Sequence, residues 1–223
     1  MNLRVLGSGS SGNCYILESS TEALIIEAGI PFMEVKKALN FNVKKIVGVI
    51  VGHAHKDHSG YIEQYVGICP IYKPYEVMAP YEWFGNFFIK PFALVHDVEC
   101  YGFYIEHPDI GKLIYATDTE YIKYRFKNIN HILVEANYSN DLIEYNAINR
   151  EHVLRGHMSL QTALTFISNN DNPALINVVL IHLSASNSDA NIFLQKTKEK
   201  IKYGADCYIA DKGLSINLDL LPF

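Results

Sequence analysis

Short runs of β-forming residues, each closed by Gly, Ser, Thr, Asn, Asp or Pro, set the pattern of this chain. Leu3 to Leu6, Cys14 to Glu18 and Ala23 to Glu27 come first and predict consecutive antiparallel strands. Pro31 then suits the first turn of a helix that carries Phe32, Val35 and Leu39 on one face. Ile46 to Val51 is continuously apolar, which predicts a buried central strand, and Tyr61 to Val66 predicts a short helix after it. Further strands are expected at Phe87 to Val95, Tyr101 to Glu106, Lys112 to Ala116 and His131 to Glu135. Beyond them, Asp141 to Leu154 has helical spacing through Leu142, Tyr145, Ile148 and Val153, and Ser159 is placed to cap a helix from Leu160 to Ile167. Ala174 to Leu183 predicts a strand that runs into a histidine, Ala190 to Tyr203 a helix, and Cys207 to Ala210 with Leu214 to Leu218 closing strands.

Strands followed by a helix thus occur twice along the chain. Two sheets packed face to face with helices outside satisfy that order, so the expected class is α/β (α+β), an αββα sandwich of two mixed sheets. No low-complexity linker, short repeat or charge block divides residues 1–223, which predicts a single domain.

Composition then narrows the function classes. With 49% hydrophobic and 19% charged residues, the chain falls outside the disordered and fibrous classes. A formal net charge of -5 argues against holding long nucleic acid by phosphate neutralisation alone, while leaving room for a local basic groove. Cys14, Cys69, Cys100 and Cys207 form no C-x-x-C pair and predict reduced core thiols rather than a disulfide framework or a cysteine zinc site. No apolar run reaches the roughly 18 to 20 residues of a spanning helix. The start of the chain breaks into Gly and Ser after Leu6, too soon for a signal peptide, so a cytoplasmic protein without a membrane segment is expected.

The densest chemistry lies in His53-Ala54-His55-Lys56-Asp57-His58, on the loop that follows the apolar strand at Ile46 to Val51. A lone histidine is most often a satisfied core or surface residue. Four groups able to ligate within six residues are different, because imidazole and carboxylate together suit zinc and other borderline divalent metals, and a turn can aim alternate side chains at two ions. Taken singly, His96 and His182 read as strand-end histidines bonded to backbone, and Asp118 as a turn-forming residue.

The segment resembles the H-x-H-x-D-H signature of the metallo-β-lactamase superfamily, and the later residues occur in that family's ligand order, each at the end of an expected strand. The resemblance implies that His53, His55 and His96 hold one divalent ion and that Asp57, His58 and His182 hold a second. Asp118, with a hydroxide, bridges the two. Zinc is the first choice of metal and manganese the other. Such a pair, about 3.5 to 4 Å apart, lowers the pKa of a bridging water from about 15.7 toward 7, so no serine or cysteine nucleophile is required and Asp57 orients the hydroxide.

Gly7-Ser8-Gly9-Ser10-Ser11-Gly12 matches G-x-G-x-x-G, with Glu27 twenty positions after Gly7. A dinucleotide site needs a helix to open there, yet Asn13 to Leu17 reads as a strand, which argues against a nicotinamide or flavin cofactor. Either the glycines serve a hairpin turn, or the loop lines an anionic substrate pocket with Ser8, Ser10, Ser11 and Asn13. This loop, Thr117-Asp118-Thr119, Glu135-Ala136-Asn137, Gly156-His157-Met158-Ser159 and His182-Leu183-Ser184 together resemble the WalJ/YycJ-like branch of the superfamily. That resemblance implies an exonuclease-like phosphodiesterase acting on nucleic acid, DNA taken from an end. Two departures stand out: Glu27 occupies a position that is usually Asp, and the C-terminal part is compact. The stretch from Asp118 to His182 is also too short for the inserted cap of the RNA-cleaving β-CASP relatives.

His157 fits none of the seven ligand positions. It reads either as a helix-flanking histidine or as a catalytic group reaching the scissile phosphate or leaving oxygen. His107, His131 and His152 read as structural. The same ligand set also serves a cyclic-nucleotide phosphodiesterase, or a lactone, thioester or lactam hydrolase. A non-catalytic metal-binding module is a third class, against which the aspartate among the histidines weighs.

Overall fold

Strand pairing begins as the hydrophobic pattern predicts. β1 (Asn2–Gly7), β2 (Cys14–Glu18) and β3 (Ala23–Ile26) pair antiparallel in chain order. The connection through α1 (Phe32–Ala38) returns the chain so that β4 (Ile46–Ile50) lies parallel to β3, as a crossover of this length allows. The computed structural model describes residues 1–143 and 154–220. The greater part of the helix expected over Asp141 to Leu154, with His152, therefore lies outside the described residues.

The first sheet has the order β13-β1-β2-β3-β4-β5, with β5 at Ile71–Tyr72 and β13 at Ser215–Asn217. The second comprises β6 (Glu82–Phe84), β7 (Phe87–Ala93), β8 (Tyr101–His107), β9 (Gly111–Ala116), β10 (His131–Glu135), β11 (Asn177–Ile181) and β12 (Asp206–Ile209). From β6 to β9 neighbours are antiparallel, and from β9 to β12 they are parallel. Both sheets are thus mixed, as expected. α3 (Leu160–Asn170) connects β10 to β11 and α4 (Ala190–Lys200) connects β11 to β12. Ser159 caps α3 by accepting from the Thr162 amide, as its position before the apolar run predicts.

Three differences from the expected elements have simple causes. β5 is two residues long, too short to leave a period in the sequence. β6 turns into β7 through Gly85-Asn86, with Gly85 at φ +57°, a left-handed conformation open to glycine at no steric cost. The helix expected over Tyr61 to Val66 is a single 3-10 turn at Ile62–Tyr65, closed by Gly67 at φ +76°.

The period of two along each strand divides the core into three layers. Leu3, Tyr15, Leu17 and Ile26 meet Phe103, Ile105 and Tyr115 between the sheets. Ile16, Ile25 and Val49 face outward to Phe32 and Val35 of α1, while Ile132, Val134 and Val178 face Ile167 and Phe193 of α3 and α4. Each fully buried Leu, Ile or Phe contributes about 1.5 to 3 kcal/mol, so the layers hold the strand ends in fixed relation. No helix among the described residues is long and apolar enough to cross a membrane.

Two further buried histidines, His107 at the end of β8 and His131 at the start of β10, contact Glu22 and Asn177 respectively. His107 Nε2 lies 3.0 Å from Glu22 Oε1 and its Nδ1 accepts from the Asp109 amide, while Glu22 also takes the Asn86 amide, tying the β2–β3 turn to the β6–β7 turn. His131, fully buried, accepts at Nδ1 from Asn177 Nδ2 at 3.1 Å, and burial pushes its pKa down to about 4. Below its usual pKa of 6.5 the unfolded chain gains a proton there that the folded chain refuses, so stability is lost as pH falls from 6.5 toward 4. The loss reaches about 2 kcal/mol at pH 5. Melting curves should therefore fall less steeply between pH 7 and 5 for His131→Gln than for the parent chain.

Candidate metal centre

The carboxyl ends of the parallel strands carry the polar residues, and the backbone there is bent to present them. β4 ends at Ile50, the chain passes His53 and His55, and Asp57 and His58 lie in α2 (Lys56–Ser59), a single turn. Two backbone hydrogen bonds fasten that turn: the Asn13 amide donates to the Asp57 carbonyl and the Ala28 amide to the His58 carbonyl, both at 2.7 Å. A Cβ on Gly29 would run into the Asp57 carbonyl, so the close approach depends on glycine. Glu27 follows β3 at φ 64°, Asp118 follows β9 at φ 52° and His182 follows β11 at φ 54°. Each is a non-glycine residue in the left-handed region, at a cost of about 1 to 3 kcal/mol, and each turns a side chain from a strand end into the same space.

That space gathers all seven residues marked in the sequence by the H-x-H-x-D-H segment and its later partners. His55 Nδ1 lies 3.3 Å from His96 Nε2, and the His53 ring centroid is 4.8 Å from that of His55 and 5.1 Å from that of His96. His58 Nε2 lies 3.0 Å from Asp118 Oδ2 and 3.2 Å from Asp57 Oδ2, while His182 Nε2 is 3.7 Å from Asp57 Oδ2. Four overlapping groups have their donor atoms within 4.8 Å of one another: His53, His55 and His96; Asp57, His58 and His182; His53, His58 and Asp118; and Asp118, Glu135, His157 and His182.

The donor set fits a divalent metal. Both ring nitrogens of His53 and Nε2 of His182 are shut off from solvent without a hydrogen-bond partner, an expensive state for a polar group unless it has a ligand to hold. Burial pushes the His53 pKa down to about 2, which keeps its nitrogens available as lone-pair donors. Burial opposes charge on His182 too, but the Asp118 carboxylate, the nearby Asp57 carboxylate and the hydrogen bond to Glu135 outweigh it and push its pKa up to about 10. Burial likewise works against ionisation of Asp57, and its contacts with His182 and His58 reverse the balance, holding its carboxyl well below the usual range.

Around these residues lies a second set that orients them. Glu135, the last residue of β10, is completely buried. Its Oε1 lies 2.7 Å from His157 Nδ1 and 3.0 Å from His182 Nδ1, and its Oε2 accepts from the Thr119 and Met158 amides. His157 is thereby held at the edge of the cluster, 3.5 Å from Asp118 Oδ1. Burial disfavours the imidazolium there, but the hydrogen bond and charge of Glu135 and the charge of Asp118 raise the His157 pKa overall. Asn137 Nδ2 donates to the His182 carbonyl at 2.8 Å and fixes the left-handed residue. Glu27 Oε2 lies 3.5 Å from His58 Nδ1 and accepts from the Gly52 amide through Oε1, so the longer side chain still reaches the histidine. Glu135, Asn137 and Glu27 carry no ligand role in the sequence reading. Their signal was an acidic or amide residue immediately at or beyond a strand end.

The Gly/Ser loop divides in two. The Ser8 hydroxyl oxygen accepts from Tyr15 and from the His182 amide, and Asn13, buried, directs Nδ2 to the Asp57 carbonyl and carboxylate, each at 3.3 Å. Ser8 and Asn13, expected in a substrate pocket, are thus engaged in bracing the histidine and aspartate. Ser10 and Ser11 are exposed on the loop. A strand, β2, follows the loop where a dinucleotide fold would open a helix.

Comparison with known proteins agrees with this architecture. In sequence, the chain is 22% identical over 250 residues to the exodeoxyribonuclease YycJ of Bacillus anthracis, covering 97% of this chain and 92% of that protein. It is 25% identical over 170 residues to the exodeoxyribonuclease WalJ of Streptococcus pneumoniae, covering 62% of this chain and 63% of that one. In structure, the metallo-β-lactamase fold protein YhfI of Bacillus subtilis superposes with a TM-score of 0.75 at 18% identity, over 96% of this chain and 98% of YhfI. Human tRNase Z, short form, superposes at 0.64 with 12% identity, over 98% of this chain and 99% of that one. Residues 7–130, more than half of the chain, match the family model described as Metallo-beta-lactamase superfamily. With two mixed sheets, helices outside and a His/Asp cluster able to bind metal at the strand ends, the chain belongs to the metallo-β-lactamase superfamily and is a metal-dependent hydrolase of it.

Proposed function

We propose that this hydrolase is a phosphodiesterase that shortens nucleic acid, DNA from an end, at a centre of two divalent ions. His53, His55 and His96 hold one ion, Asp57, His58 and His182 the other, and Asp118, which belongs to donor groups on both sides, is shared. When bound, zinc or manganese supplies Lewis acidity that makes a nucleophile from water near neutral pH and offsets charge on the phosphoryl oxygens.

The protein's own contribution is orientation and proton transfer. Asp57, braced by Asn13, orients the attacking water. His157, held by Glu135 at the margin of the cluster, gives a proton to the leaving oxygen. That pair is the observation that carries the reading, because the sugar oxygen expelled from a phosphodiester is a poor leaving group and needs an acid. The likeness to an exodeoxyribonuclease over nearly the whole chain supports DNA as the polymer. Ser10 and Ser11 lie on the loop that Ser8 and Asn13 anchor, and their hydroxyls and amides serve the phosphate.

Single-stranded and duplex DNA, RNA, a cyclic nucleotide and an aryl ester, each offered with zinc and with manganese, test the proposal. DNA should be shortened from one end with release of mononucleotides. Turnover of the ester or the cyclic nucleotide with DNA left intact would overturn it. Asp57→Asn keeps the shape of the side chain and removes its charge. Its turnover should fall by about 100-fold or more, the scale of a misdirected nucleophile, while the melting temperature stays within a few degrees. A folded Asp57→Asn protein with undiminished rate would remove the orienting role.

A further inference from the structure

The outer face of the second sheet is not covered evenly. α3 and α4 lie against β10 and β12, whereas the outward side chains of β7 and β8 border a groove of about 760 Å³. One wall is the sheet itself, with Phe88 and Tyr104 at a ring separation of 6.4 Å and Lys90 exposed beside them. The Tyr104 hydroxyl donates to Glu106 at 2.8 Å, which sets the plane of the ring.

The other wall is an extended strap, residues 121–127, in which cations and rings alternate. Lys123, Arg125 and Lys127 are exposed, and Tyr124 and Phe126 turn inward half-buried against Phe92. The Phe126 amide donates to Asn170 of α3 at 2.7 Å, which pins the strap. At its start the strap is joined to the metal centre: the Thr119 hydroxyl accepts from the Val95 amide, and the Glu120 amide donates to the Val95 carbonyl, one residue from His96. The strap that walls the groove therefore starts just beyond Asp118 and is tied through Thr119 and Glu120 to the residue before His96.

We infer that this groove holds the unpaired stretch of a nucleic-acid strand whose end lies at the metal centre, which rests on the phosphodiesterase reading above. Rings on two facing walls offer stacking surfaces that accept any base, and the basic side chains of Lys90 and of the strap meet the phosphates. In a chain of net charge -5, Lys90 on the sheet wall together with Lys123, Arg125 and Lys127, exposed along the strap whose alternate residues Tyr124 and Phe126 line the groove, gives local complementarity to a polyanion. Neutralising a few phosphates there is compatible with the acidic whole.

A short dye-labelled oligodeoxythymidine with phosphorothioate linkages, which resist hydrolysis, tests the groove on the metal-loaded protein by fluorescence anisotropy. Lys123→Gln and Arg125→Gln, both at exposed positions, should weaken binding and lower the slope of log affinity against log salt by about 0.7 for each phosphate left without its cation. Tyr124→Ala should weaken binding about tenfold, the scale of one base deprived of its stacking ring. Melting curves and elemental analysis confirm that each variant is folded and loaded. Folded, loaded variants that bind the strand as the parent does would overturn the groove. So would variants that change only the sedimentation of the protein, which would assign this face to a second copy of the chain. If the parent chain hydrolyses no phosphodiester, the phosphodiesterase reading falls, and the anisotropy still judges the groove by itself.

Discussion

Asp118→Ala and Asp118→Asn are expected to lose both metal ions and to lower turnover by about 10³-fold or more. Asp118 stands in one donor group with His53 and His58 and in another with Glu135, His157 and His182, so its removal opens both sides of the centre. The size of the effect follows from removing several kcal/mol of charge stabilisation at about 1.4 kcal/mol for each tenfold. His182→Ala gives the contrast: it belongs with Asp57 and His58 and should remove mainly one ion. Elemental analysis of the purified variants measures this. Asp118 sits at φ 52°, where alanine itself is strained and asparagine is tolerated, so the Asn variant separates loss of a ligand from loss of backbone fit. An Asp118→Asn protein that keeps two ions and its activity would refute the shared role.

The second large effect is expected at His157. His157→Ala should slow DNA hydrolysis by about 10² to 10⁴-fold, the range of a missing general acid, with metal content unchanged. On bis(p-nitrophenyl) phosphate the decrease should be small, because nitrophenolate leaves without a proton. An aryl ester should also suffer less than DNA, since its leaving group and single developing oxyanion make lighter demands. Glu135→Gln should reproduce the DNA defect in part, through a poorly oriented His157, and should also weaken metal retention through its hydrogen bond with His182 Nδ1 at 3.0 Å. Equal decreases on DNA and on the nitrophenyl diester would assign His157 to the binding of the ions or the phosphate and not to proton transfer.

The two halves of the metal cluster were not equally legible in the chain. His53, His55, Asp57 and His58 share one loop, and a dense set of ligand types after an apolar strand is a local signal. His96, Asp118 and His182 became recognisable only through their order and their places beyond strand ends. Glu135 stood out only within the motif Glu135-Ala136-Asn137 and without a role, because a single acid at a strand end has many ordinary explanations. Its role depends on His157 and His182 reaching it across twenty-two and forty-seven residues of chain. Ser8 and Asn13 show the converse. Their types suited a phosphate loop, yet the β1–β2 turn folds them inward, where Tyr15, Asp57 and His182 take up their hydrogen bonds.

From the sequence alone came the strand runs, the αββα class, the cap at Ser159 and the inventory of ligands, because these depend on alternation, turn chemistry and residue type over short distances. Tertiary structure decided which strand ends meet, that Glu27, Asp118 and His182 adopt left-handed backbone to face one another, and that Glu135 orients His157. It also decided that Tyr124 and Phe126 of the strap stand with Phe88 and Tyr104 around one groove. A period of two states which face of a strand is buried. It does not state which other strand lies across that face or beside its end, since that is settled by how three apolar layers pack at once.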